Sequence, residues 1–557
     1  MKKMCFLLLL VGGFVNAQIV NIPNANFKAK LIASGVDTNA DGNIQQSEAL
    51  ATTTLNVSDS MIYDFTGLEA FINLTNLDCS YNQSYMLNVD MLTNLRDLNC
   101  RQMGLSTLNV SQLTYLETLD CGTNQLTSLN LANLNNLVEL NCRINHIASL
   151  NLTGANNIQV LNCVSNIELT TLNLNNLVNL RSFNSYGCRL TSLNIISPNL
   201  AYLNCDGNRL TSLDLSSFLN LEILDCSNNL FSSLDAGNLP SLKRLTCYGS
   251  SSLTSLNLIG SINLEYLDCM GNALPSLNLT NLNNLEYISC GDNLITNVNA
   301  GNLPALKQLF CGGNSAVTVN VIGSNNLEQL WCGGNNLSTI NLSGLIHLEV
   351  LFCDRNQINT LDLHDLINLR SLDVRVNSLT SLDVSNNNQI IMLYCGDNPF
   401  TTLNFNNLSQ LYYFHSTNCP NLTSLFIKNG SAEEFYQWTL ENDPNLNFIC
   451  VDSFQQTTVQ SFANTGATVV SDCSLSNEET EIADFDIYPN PASATLAINS
   501  NSNIQIIEIY DVNGRSLLIK NANANQASID VSSYSKGIYF VRMISEKGIR
   551  TERFVKE

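Results

Sequence analysis

The sequence predicts a mainly β protein: a long solenoid of short units, with a small helical cap at its N-terminal end and an antiparallel β-sandwich at its C-terminal end. Three observations predict it. Cysteine recurs every 21 residues at Cys79, Cys100, Cys121, Cys142 and Cys163, and the rhythm resumes from Cys205 through Cys353 to Cys395. The text around each cysteine repeats with it, as in "NLEILDCSNNLFSSLDAGNLP", "NLEYLDCMGNALPSLNLTNLN" and "NLEQLWCGGNNLSTINLSGLI". After an acidic stretch, the last 74 or so residues lose the repeat and alternate apolar with polar as strands do.

In chain order, residues 1–17 read as a signal peptide. Lys2 and Lys3 precede an apolar run from Phe6 to Val15, which is too short for a membrane span and ends at Val15-Asn16-Ala17. Cys5 lies before that run, which argues against a lipid anchor there. The mature chain is expected to begin at Gln18. No later stretch is long and apolar enough to cross a bilayer.

Residues 18–65 form the N-terminal cap. "DTNADGNIQQSE", Asp37 to Glu48, has the spacing of an EF-hand-like calcium loop. Asp37, Asn39 and Asp41 would offer side-chain oxygens and Asn43 its carbonyl. Gln45 would act through water, and Glu48 would close the site with both carboxylate oxygens. Gly42 permits the bend, and Ile44 is expected to pack inward. Phe27, Leu31 and Ile32 give the preceding segment one apolar face, and a second short helix starts near Ser47. A calcium sensor pairs two such loops and a dockerin duplicates one. A single loop favours one structural calcium ion in the cap, the alternative being a metal-free turn with the same spacing.

Residues 66–428 hold about 17 units of the form N-L-x-x-L-x-C-x-x-N-x-L-T-S-L-N-L-x-x-L. In "LxxLxC" the last Leu and the Cys lie two apart, so both point to the interior from a short strand. The Asn three residues later turns the chain and satisfies backbone groups in that turn. No unit buries its own leucines. Stacking buries them, each worth roughly 1.5–3 kcal/mol when fully covered. The pattern resembles the leucine-rich repeat family, and most closely the bacterial internalin-type repeats with a cysteine at the second inward position. Units at Phe183 and Phe414 carry Ser185 and Ser416 in place of the cysteine. They place Cys188 and Cys419 at the Asn position, which the family pattern allows.

Nineteen cysteines in an exported chain suggest disulfides. The spacing argues otherwise for the ladder. Neighbouring parallel strands lie about 4.8 Å apart, whereas a relaxed disulfide needs Cβ atoms nearer 3.8 Å. There is also no C-x-x-C pair to suggest metal binding. The ladder is read as buried thiols acting as small hydrophobes. Cys450 and Cys473 lie outside it, in the C-terminal cap at 429–474, and are candidates for a real disulfide.

Residues 475–483, "LSNEETEIA", read as a linker. Residues 484–557 show strands and turn signals at Asn513-Gly514 and Lys536-Gly537. They carry Tyr488-Pro489-Asn490-Pro491, Tyr510-Asp511-Val512-Asn513-Gly514-Arg515, Gly537-Ile538-Tyr539 and the basic end Arg553-Phe554-Val555-Lys556. Together these resemble the C-terminal sorting domain of the type IX secretion system. The resemblance implies engagement of that machinery and export to the medium or outer surface of a Bacteroidetes-type bacterium.

The formal net charge is −22, which disfavours nucleic acid and anionic membranes as partners. Catalysis finds little footing. His146, His347, His364 and His415 occupy different places in different units, and no metalloprotease, nucleophile-elbow or phosphate-loop motif occurs. His364-Asp365 reads as a solvated turn. The strand position between the last Leu and the Cys is more informative. It runs Asp78, Asn99, Asp120, Asn141, Asn162, Asn184, Asn204, Asp225, Thr246, Asp268 and Ser289. It then turns to Phe310, Trp331 and Phe352, followed by Asp373, Tyr394 and His415. Tyr202, Tyr266, Tyr287 and Tyr413 lie one column aside. An aromatic strip on an exposed sheet marks binding, the alternative being neighbouring rings that stabilise the sheet. Phe310, Trp331, Phe352, Tyr394 and His415 are therefore the expected ligand site of a monomeric, non-enzymatic protein. Its ligand would be an extracellular protein, as the internalin resemblance implies, or alternatively a surface glycan. A hydrolase is the remaining alternative.

Overall fold

The computed structural model describes residues 18–431, 442–463, 466–473, 485–512, 515–545 and 548–557. Residues 1–17, read as a signal peptide, residues 475–483, read as a linker, Trp438 and the turn expected at Asn513-Gly514 lie outside the described residues. The chain divides into two compact units, Met1–Ser471 and Asp472–Glu557.

In the first unit the repeat becomes a parallel sheet of 18 three-residue strands. Pairing is in register, so equivalent positions stack: Leu77 on Leu98, Leu98 on Leu119, Leu309 on Leu330. The central residue of each strand, Leu in all but Phe183, Ile288 and Phe414, points inward and is buried, and the flanking residues form the opposite face. The sheet starts at Thr54–Asn56, inside the stretch assigned to the cap, because Leu55 and Val57 already take inward positions. "TSLNL" segments form short side sheets, such as Ser128–Asn130 beside Ser149–Asn151. One continuous apolar core runs from Phe27 to Val469. The C-terminal cap adds Phe448–Val451, the helix Gln456–Phe462 and Thr468–Val470.

Two amide ladders hold the stack. Asn124 donates to the carbonyls of Cys100 and Cys121, one in each unit, at 3.0 and 2.9 Å. Its Oδ1 accepts the N–H groups of Met103 and Leu105 in the preceding unit. The asparagine therefore does more than close its own turn; it bonds neighbouring units together. Where Cys188 replaces it, the thiol donates to the Cys163 carbonyl at 3.2 Å, so the register survives. On the outside, Asn73, Asn284 and Asn326 each donate to a carbonyl of the unit before. The second glycine of each "CGGN" sits at positive φ, 66° at Gly313 and 67° at Gly334, where a side chain is disfavoured.

The thiol ladder is buried as expected: 16 free cysteines line the core. Cys450 and Cys473 are both disulfide-bonded.

The second unit is a single five-stranded antiparallel sheet rather than two packed sheets. Thr495–Asp511 is long enough to pair Phe485–Tyr488 at one end and Gly537–Ser545 at the other, with Ser516–Asp530 along its other edge. Its register shifts bend it over a core of Leu496, Ile507, Val541 and Phe554. Asn490 of the Tyr-Pro-Asn-Pro motif donates to the Arg553 carbonyl and accepts the Val555 N–H, fixing the motif to the last strand.

Candidate ligand groove on the concave face

Each strand presents its first and third residues outward, so the concave face has two columns. The columns meet in a diagonal track of aromatic rings. Arg244 lies 3.6 Å over Tyr266, and Tyr266 stacks on Tyr287 at 4.2 Å with planes 3° apart. Tyr287 then crosses to the third-position column, 5.4 Å from Phe310. Phe310, Trp331 and Phe352 follow at 5.3 and 4.7 Å, tilted by 53° and 43°. The spacing follows from strand separation, since in-register pairing sets Phe310 beside Trp331 and Trp331 beside Phe352. Trp331 is 41% exposed although rings flank it on both sides. Burial, then the Tyr266 hydroxyl, pushes the Tyr287 phenol up to about 12.

Three of the five expected residues are therefore contiguous. Tyr394 and His415 form a separate pair, 6.2 Å apart. Between the two groups lies Asp373, which is not outward and open as the column implied. It is only 4% exposed, because Arg375 grips its carboxylate through Nε and Nη2 and reaches to within 5.0 Å of the Tyr394 ring. Burial, then the nearby Arg375 charge, holds the His415 pKa below its ordinary value. Tyr266 and Tyr287, noted one column aside in the sequence, and Arg244 complete the track; of these only Arg244 gave no signal, because its cation sits over a ring of the next strand.

Beside the track runs a groove of about 640 Å³, walled by Tyr287, Phe310, Trp331 and Phe352 and floored by Gly291, Gly312 and Gly333. Its chemistry follows from the switch to aromatics. Wherever the third strand residue is Asn or Asp, its side-chain oxygen accepts the N–H two residues on: Ser80 to Asp78, Gly122 to Asp120, Val164 to Asn162, Met270 to Asp268 and Arg375 to Asp373. Ser289, Phe310 and Trp331 leave the N–H groups of Gly291, Gly312 and Gly333 without an acceptor among the described residues. Gly312 and Gly333 are half-buried, at the groove surface.

At the far end, the cap is helix–loop–helix, Ala25–Ala33 and Gln46–Ala51. Phe27, Leu31 and Ile44 are buried, whereas Ile32 turns to solvent. Asp37 accepts the N–H groups of Asp41 and Gly42, and the side-chain amides of Asn39 and Gln45 reach Asp41 Oδ2 at 3.2 and 2.7 Å. Glu48 has protein partners of its own. Its Oε1 accepts Thr38 N–H and Oγ–H, and Oε2 accepts Gln45 N–H, so it caps the helix it sits in. Burial pushes its carboxyl up, but the bonds from Gln45, Thr38 and Asn39 outweigh that and hold it below its ordinary value. Among the described residues, no three acidic, His or Cys side chains are set to hold a metal. His364 and Asp365 form no dyad. Asp365 accepts the Gly344 N–H and His364 meets Asn386.

Residues 486–557 match the family model of the secretion system C-terminal sorting domain. Among solved structures, YopM of Yersinia enterocolitica is similar over 76% of this chain and 94% of its own, at 19% identity and a TM-score of 0.55. The functional domain of InlJ from Listeria monocytogenes, described as including a cysteine ladder, is similar over 97% and 98%, at 20% identity and 0.45. A leucine-rich repeat protein of Leptospira interrogans covers 62% and 93%, at 22% and 0.46. No curated protein matches the chain in sequence. The chain is a leucine-rich repeat solenoid with a type IX secretion sorting domain at its C-terminus.

Proposed function

We propose that this exported solenoid holds a partner protein on its concave face, with the diagonal aromatic track as the anchor. The track is the observation that carries the reading: five rings on consecutive strands, from Tyr266 to Phe352, on an outward face. Exposed aromatic clusters of this kind serve as interface anchors. The sorting domain supports the setting, because it directs the chain to where extracellular partners are met. A glycan reading is weaker. Sugars need open ring faces, and Tyr266 has Arg244 on one face and Tyr287 on the other. The test is capture from host or neighbouring-cell surface extracts by the secreted protein. A partner held by the wild type should be lost with Trp331→Ala and kept with Asp120→Asn. Retention by Trp331→Ala would contradict the reading.

The cap is proposed to hold one structural calcium ion through Asp37, Asn39, Asp41, Asn43 and Gln45, with Glu48 contributing. Calorimetry should find one ion per chain at roughly 0.1–1 mM affinity, lost in Asp41→Asn. Absence of binding at millimolar calcium would leave the loop as a turn.

A further inference from the structure

Arginine already meets outward rings along this solenoid. The guanidinium of Arg101 lies 5.5 Å over Tyr81, that of Arg244 3.6 Å over Tyr266 and that of Arg375 5.0 Å over Tyr394. Indole attracts a cation more strongly than the other rings do. Trp331 is 41% exposed, yet among the described residues no cation lies over it, nor over Phe310 or Phe352. The groove beside these three rings is edged by carboxylates. Asp292, Asp354 and Asp373 face two guanidinium groups there, Arg355 and Arg375. Arg375 closes off Asp373. Asp354 pairs at 2.8 Å with Arg355, whose side chain is 69% exposed, and such an open pair is weak enough to be exchanged. Asp292 is exposed and has no basic partner among the described residues. We propose that the groove takes an arginine-bearing segment of the partner protein, with a guanidinium against Trp331 and its N–H groups on Asp292, and with Asp354 open to a second basic side chain. This rests on the reading of the concave face as a protein-binding surface.

The local structure fits that occupant. Glycine lets both carboxylates reach in. A Cβ at Gly313 would collide with Asp292 Oδ1, and one at Gly333 with Asp354 Oδ1. Asp292 thus leans over the unit that holds Phe310, and Asp354 over the unit that holds Trp331. Burial, then the Asp373 charge, pushes the Asp354 carboxyl up, as happens where a carboxylate is short of counter-charge. A guanidinium suits the place better than an ammonium, because its plane lies on a ring while its edge bonds a carboxylate. The chain's net charge of −22 also draws a basic partner toward it.

The experiment titrates the full protein with a capped tetra-arginine peptide at physiological salt, followed by calorimetry and tryptophan fluorescence. The comparison peptide is tetra-citrulline, which keeps the side-chain shape without the charge. The expected result is saturable one-to-one binding of tetra-arginine and none of tetra-citrulline. Asp292→Asn should weaken it at least about threefold and Trp331→Ala at least about tenfold, whereas Asp120→Asn should change nothing. Asp354→Asn is a second variant that removes charge from the groove and should also weaken binding. Equal weakening by Asp120→Asn and Asp292→Asn would reduce the effect to diffuse attraction and overturn the inference, as would equal binding of tetra-citrulline. No response to tetra-arginine, while Trp331→Ala still abolishes capture of a partner and Asp292→Asn does not, would overturn this inference and leave the protein-binding reading standing. Saturable binding of an oligosaccharide with no response to tetra-arginine and no captured protein would overturn both.

Discussion

Replacing Asp443 with asparagine tests whether the amide ladder is the device that holds the units together. Asp443 accepts the Cys419 N–H at 2.6 Å, as ladder asparagines accept N–H groups of the preceding unit. A carboxylate cannot donate back to carbonyls as an amide does, and this one is fully buried. Burial pushes its pKa up from 3.8 to about 6; the Cys419 bond opposes the rise and the Asp397 charge adds to it. The sign follows. The folded state holds the proton more tightly than the unfolded chain, so stability is undiminished below about pH 4. It is lost as pH rises between the two values, and the full cost is felt above about pH 6. A gap of about 2 at 1.36 kcal/mol each gives at most about 3 kcal/mol. Asp443→Asn should therefore stabilise the C-terminal end by up to that amount at pH 7.5 and change little at pH 3.5. Thermal melts at both pH values, with hydrogen exchange over residues 442–451, provide the assay. An equal effect at both pH values, or destabilisation at pH 7.5, would refute the reasoning.

Other predictions concern the ladders and the tail. The 16 core thiols should resist alkylation in the native protein and react after denaturation without reductant, as counted by intact mass. Burial raises most of their pKa values, that of Cys290 to about 12. Asn335→Ala removes donors to Cys311 and Cys332 and the acceptor of Ala316 N–H, so chemical denaturation should show a loss of at least about 3 kcal/mol. Asn326→Ala breaks one exposed bond to Pro304 and should cost under about 1 kcal/mol. Deleting residues 484–557 should leave the solenoid folded but inside the cell envelope, as fractionation would report; normal surface levels would contradict the sorting role.

The repeat made most of the fold legible, because a 21-residue rhythm of Leu, Cys and Asn permits one stacking register. The inward positions, the buried thiols and the Phe310–Trp331–Phe352 strip follow from alternation alone. What could not be read depends on neighbours across units. Asp373 counts as outward by alternation, yet Arg375 folds over it. Tyr266 and Tyr287 were legible one column aside, but that their rings run on into Phe310 is seen only where Tyr287 crosses to the third-position column. The free N–H groups at Gly312 and Gly333 are invisible until it is seen that Asp and Asn cap the same position elsewhere. The bonds that Glu48 makes to Thr38 and Gln45 cannot be seen in the loop spacing.

The most direct test of the central claim is where a captured partner protects the solenoid. Hydrogen exchange on the complex should show protection centred on residues 287–334, falling away toward the acidic strands around Asp78, Asp97 and Asp120. Protection confined to those acidic strands, or to the convex side, with residues 308–334 exchanging as in the free protein, would contradict it.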